Sequence, residues 1–128
     1  MYFATTDLSG PAALSQCEAV LDHAWPGQPF PGVPADFSAR WTSTRNLAGG
    51  ATTFTTLSDD GIRVSVDGTT ILSNWTNHAR TTDVATVNLA SGNHLVVVEY
   101  LDSYDFAAAR LTIAPDAVAD GTAGRRGR

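Results

Sequence analysis

The chain has 128 residues, 43% of them apolar and 16% charged, which suits one globular domain with its own core. A net charge of −5, with eight Arg and no Lys, excludes the clustered basic surface that nucleic acid requires. No apolar run reaches the ~18 residues of a membrane span, and the single Cys17 excludes an internal disulfide.

Taken in chain order, Met1 is followed by polar sequence with no signal peptide, so a secreted parent would be a longer protein than this stretch. "PAALSQCEAVLDHAW" carries the one trace of a helical period, and a helix is given only a small share of it. Cys17, within it, is expected as a small buried hydrophobe. "WPGQPFPGVPAD" holds four of the six prolines and predicts an ordered or extended loop. From Phe37 onward the period is two. "FSARW" puts Phe37, Ala39 and Trp41 on one face, with Ser38 and Arg40 on the other. Trp41 is thereby expected in the core. "ATTFTTL" is Thr-rich and favours strand. "IRVSV" turns Ile62, Val64 and Val66 inward, and Asp67-Gly68 then predicts a tight hairpin turn of the primed type. "TTIL" follows, then a strand marked by Val87 and Leu89, then a turn at "ASGN". "HLVVVEY" is apolar on both faces in its middle, as a central strand is. "ARLTI" closes the series. About six or seven short strands predict an all-β, antiparallel sandwich or barrel over residues 1–114. Residues 115–128, ending "DGTAGRRGR", predict a frayed end or linker.

Motifs for catalysis are missing. His23, His78 and His94 show no metal-binding pair spacing, and neither a GxSxG elbow nor a phosphate-cradling GxxxxGK[ST] loop occurs. Adjacent carboxylates rarely straddle a scissile bond as a glycosidase pair must. The chain is therefore not expected to be an enzyme. His94 is expected to be structural. His78, in the polar loop "NWTNHARTTD", is expected at the surface or against a ligand.

The oddity is "SDDG", where Asp59 and Asp60 repel each other at a strand junction. One reading is a solvated acidic turn over Ser58 to Gly61. The other is a cation held between the carboxylates. Calcium takes six to eight oxygen ligands, and the region offers Asp and Asn oxygens without the Cys/His cluster that zinc prefers. Successive side chains of a strand point to opposite faces, so a shared cation would require the Asp59-Asp60 peptide to leave strand geometry, for instance as a cis bond. Both readings stay open on the residues alone.

The markers "YFATTDLSGP", "FSARWT", "TTFTTLSDDGIRVSVDGTTILSNW" and "LASGNHLVVVEYLD" together resemble the anthrax protective-antigen domain family, the PA 14 kDa domain, over about Tyr2 to Ile113. That family also occurs in fungal adhesins and as an insert in bacterial beta-glucosidases. The resemblance implies a twisted antiparallel β-sandwich. It also implies glycan binding through calcium held by an Asp-cis-Asp pair, which matches Asp59 and Asp60. In the adhesins an Asn side chain and two later carbonyls complete the shell. By the same register Asp102 of "LDSYDF" stands at the Asn position, and the Tyr104 and Phe106 carbonyls follow. Three carboxylates around a divalent ion would leave a net −1 site. Tyr104, Phe106, Trp75, Asn77 and His78 are the expected sugar contacts, with Trp75 divided evenly between core and site. The sequon Asn74-Trp75-Thr76 is read as chance. The expected function is a non-catalytic, calcium-dependent carbohydrate-binding module of a larger secreted or cell-surface protein. Glycan is the partner, with self-assembly or neighbouring domains as further ones. The alternative is a structural or protein-interaction module without sugar binding, and a third reading is an accessory domain of a glycosidase.

Overall fold

The computed structural model describes residues 1–15, 21–25, 29, 32–34, 36–103 and 107–114. Within these, ten strands form in chain order: β1 (Tyr2–Phe3), β2 (Ala12–Leu14), β3 (Asp22–Trp25), β4 (Phe37–Leu47), β5 (Gly50–Asp59), β6 (Gly61–Val66), β7 (Thr69–Asn74), β8 (Thr81–Leu89), β9 (Gly92–Asp102) and β10 (Ala107–Ala114). They build two sheets, one of six strands in the order β2-β1-β4-β9-β6-β7 and one of four in the order β3-β10-β5-β8. Neighbouring strands run antiparallel. The two sheets face each other as a sandwich and do not close into a barrel. No helix among the described residues is long and apolar enough to cross a membrane.

The period-two pattern places the core. Phe54 of β5, Ile62 and Val64 of β6, Val96 and Val98 of β9, and Ile113 of β10 all turn inward and are buried. Burying each such side chain contributes roughly 1.5–3 kcal/mol before entropy is counted. "HLVVVEY" is central, as its apolar middle predicts: β9 lies between β4 and β6. The β6–β7 hairpin turns at Asp67 and Gly68, with φ of 51° and 86°, the two positive angles of a primed turn.

The stretch before the prolines, where a helix has only a small share of the expectation, is not helical where it is described; it supplies β2 and β3, two short edge strands. One expectation changes. Ser38 is not an outward residue but fully buried. The N-terminal segment covers its face, and the Ser38 hydroxyl donates to the Thr5 carbonyl (2.6 Å) and accepts from Leu8 N–H (2.9 Å). Trp41 does sit against the core as read, edge-on to Tyr2 at 5.8 Å. The two sheets also place "SDDG". β5 and β6 belong to different sheets, so Asp60 marks a corner where the chain crosses between layers, not a hairpin. Cys17 and the tail from residue 115 lie outside the described residues.

Candidate metal and ligand site

The corner at Asp60 lies at one end of the sandwich. Register fixes its neighbours: Asp59 pairs with Ala108 of β10, and Asp102 pairs with Phe37 at the end of the β4–β9 ladder. The Asp59-Asp60 peptide is cis. Oxygens of Asp59, Asp60 and Asp102 lie within 4.8 Å of one another. Asp102 is fully buried, Asp60 is 4% exposed, and Asp59 is half-buried. A solvated acidic turn is thus not what this corner is.

Each carboxylate is held differently. Asp60 accepts two main-chain hydrogen bonds, from His78 N–H to Oδ1 (3.1 Å) and from Ser103 N–H to Oδ2 (2.8 Å). Its own N–H donates to the Leu101 carbonyl at 3.2 Å. Asp59 is held through its main-chain carbonyl, which accepts from the Tyr100 hydroxyl. Burial and then the Asp60 charge hold the Asp59 carboxyl above its usual range, with His78 and Arg80 pulling the other way. Three carboxylates at this spacing, two of them removed from water, repel one another unless a cation or a proton intervenes.

The donor set fits a hard cation. All three side chains offer oxygen only, and among the described residues this is the one cluster of three or more His, Cys, Asp or Glu side chains close enough to share an ion. Asp59, Asp60 and Asp102 would hold it. A calcium ion there would offset the repulsion and accept hydroxyl oxygens as further ligands. Tyr104 and Phe106, expected to complete the shell, lie outside the described residues.

The loop after β7 approaches the same corner. Gly61 permits this: a Cβ there would sit 3.0 Å from both N and O of Thr76 and 3.2 Å from the Asn74 carbonyl. Asn77 is exposed, and its Oδ1 accepts from the Ser103 hydroxyl (2.9 Å), tying the loop to the end of β9. His78 caps Asp60 through its main chain, while its ring Nδ1 lies 2.5 Å from the Ala79 carbonyl. That contact requires Nδ1–H, and the ring Nε2 is buried without a hydrogen-bond partner. Trp75 is half-buried, its ring under the Arg63 guanidinium at 4.0 Å. The structure therefore brings Asn77 and His78 to the carboxylates and gives Trp75 a role on the outer sheet face. Residue-level reading missed Ser103 and Tyr100. The sequence marks "HLVVVEY" as a central strand, but nothing in it signals the partners of the Tyr100 hydroxyl.

A family model of the PA14 domain matches residues 1–103. The chain belongs to the PA14 domain family. Solved structures share the fold of this PA14 domain. An anti-sigma factor domain-containing protein is 26% identical with a TM-score of 0.82, over 88% of this chain and 40% of that one. An anti-sigma factor domain-containing protein from Clostridium clariflavum is 22% identical, TM-score 0.78, over 92% and 40%. The chain thus spans 40% of the length of these two proteins. A PA14 sugar-binding domain from an RTX adhesin is 18% identical, TM-score 0.69, over 88% and 85%. No curated protein matches the chain.

Proposed function

We propose that this PA14 domain is a non-catalytic, calcium-dependent carbohydrate-binding module of a larger secreted or surface protein. One observation carries the reading: three carboxylates, two of them buried, converge within 4.8 Å at the end of the sandwich. Asp59, Asp60 and Asp102 hold the ion, and the ion offers its remaining coordination positions to sugar hydroxyls. The loop bearing Asn77 and His78 borders the bound sugar, and Tyr104 and Phe106 supply the remaining ligands and apolar contact. The sugar-binding PA14 domain of the RTX adhesin supports this assignment. Single-site affinity is weak, and copies or neighbouring domains raise it by avidity.

Melting curves with calcium and with chelator test the reading. At calcium 100-fold above its dissociation constant the folded state gains about 2.7 kcal/mol. The wild-type melting temperature rises accordingly, and D60A removes the difference. A wild type that ignores calcium overturns the cation site and removes the main support for sugar binding.

A second reading has its own observation. The anti-sigma factor domain-containing proteins match this chain with higher TM-scores than the adhesin domain does. The same sandwich would then serve as a protein-interaction or spacer module. Silence on a glycan array together with a stable oligomer in solution supports that alternative.

A further inference from the structure

Tyr100 is fully buried and lies two residues before Asp102 on β9. Its ring packs on Phe37 (5.7 Å) and Trp41 (6.2 Å). A phenylalanine would fill the same space, so packing does not account for the hydroxyl. A buried hydroxyl is unfavourable unless it is bonded, and this one is bonded twice. It donates to the Asp59 carbonyl and accepts from Ala108 N–H at 3.1 Å. Ala108 is the residue that faces Asp59 across the β5–β10 ladder. One phenol therefore joins the strand carrying Asp102, the end of the strand carrying Asp59, and the start of β10. Burial and then the Asp102 charge push its ionisation far above the usual phenol range, so the group stays a neutral donor.

Different groups fix the two adjacent aspartates. The Asp60 carboxylate is fixed by loop amides, from His78 and Ser103. The Asp59 main chain is fixed by Tyr100.

We infer that Tyr100 is the positioning residue of the aspartate cluster: its hydroxyl sets the Asp59 main chain against the strand bearing Asp102 and thereby sets the affinity for a divalent cation. This rests on the cation reading proposed above. Groups that orient metal ligands from behind typically carry 10–100-fold in affinity.

The test compares wild type and Y100F in two measurements. Calcium titration by calorimetry is expected to show binding weakened about tenfold in Y100F. Amide hydrogen exchange in the metal-free protein is expected to show faster exchange at Ala108, with Val64 and Val96 unchanged. A purely structural tyrosine would lower the melting temperature and leave the calcium affinity of the folded protein within twofold; that result overturns the inference. Absence of calcium binding by the wild type overturns the cation reading and the affinity claim with it. Calcium binding that Y100F leaves intact overturns the positioning role alone. Should Y100F fail to fold, the wild-type Tyr100 hydroxyl proton provides the readout by NMR. It is expected to exchange slowly and to shift on calcium addition, and an unmoved resonance overturns the inference.

Discussion

At the scale of single residues, the site depends on small exclusions as much as on charges. Gly61 follows the aspartate pair, and its missing side chain lets the Asn74–Thr76 backbone lie against the corner. That approach brings His78 N–H to Asp60 and Asn77 to Ser103. G61A would place a methyl group 3.0 Å from two main-chain atoms of Thr76, which cannot yield as a flexible side-chain tip can. It is expected to cost about 1–3 kcal/mol in chemical denaturation. It should also shrink the calcium-induced rise in melting temperature by loosening the Asp60 cap. An unchanged denaturation midpoint in G61A would show that the loop adapts freely. Glu99 displays the same economy on the outer sheet face. Burial pushes its carboxyl up, but Arg63 and Arg40 outweigh that and hold it below its usual range. Arg63 at 2.6 Å is thereby fixed over Trp75.

At the scale of elements, the β6–β7 hairpin is fastened at its turn. Asp67 accepts from His94 Nδ1 at 2.6 Å and from Leu95 N–H at 2.8 Å. His94 Nε2 faces the Ala90 carbonyl at 2.7 Å. Both ring nitrogens thus meet acceptors, which only the doubly protonated imidazolium satisfies. The hydrogen bond His94 donates to Asp67, then the one it donates to the Ala90 carbonyl, raises the His94 pKa above its ordinary value, and His94 in turn lowers that of Asp67. For His94, the folded pKa lies above the unfolded one, so its contribution is complete below about pH 6.5 and fades as pH rises through the folded value. For Asp67 the contribution is complete above about pH 4 and fades as pH falls through its lowered value. Melting temperature measured from pH 4 to 9 should therefore fall on the alkaline side for wild type more steeply than for H94Q. Parallel profiles would mean that the latch is not charged in the folded protein.

At the scale of the whole molecule, two sheets share one core, and Phe54 is its fully buried aromatic on the four-stranded side. F54A is expected to cost about 3–5 kcal/mol by transfer and cavity terms together. Because both sheets line that core, unfolding should remain a single transition, with the denaturant midpoint lowered and the slope unchanged. Separate transitions for the two sheets would contradict a common core. The crossings at Asp60 and at Ala90–Ser91 are two of several that assemble the sandwich, since most strands adjacent in sequence enter different sheets.

Local chemistry in the sequence was enough to determine the strands from Phe37 onward, because period-two burial is written in consecutive residues. It also determined the primed turn, because Asp67-Gly68 suits two positive φ angles, and the central place of β9, because its apolar run marks a strand paired along both edges. The short strands β1 to β3 were not legible. They are two to four residues long and are held by pairing with distant partners rather than by their own pattern. The two-sheet division was decided only in three dimensions, since an inward-outward alternation is the same whichever sheet receives the strand. The candidate site divides in the same way. Asp59 and Asp60 drew attention as neighbours that repel, and the family resemblance pointed to Asp102. The loop amides on Asp60 and the bond from the Tyr100 hydroxyl to Asp59 join residues between 18 and 43 positions apart in the chain, and the three carboxylates converge over a similar span, which local sequence does not encode.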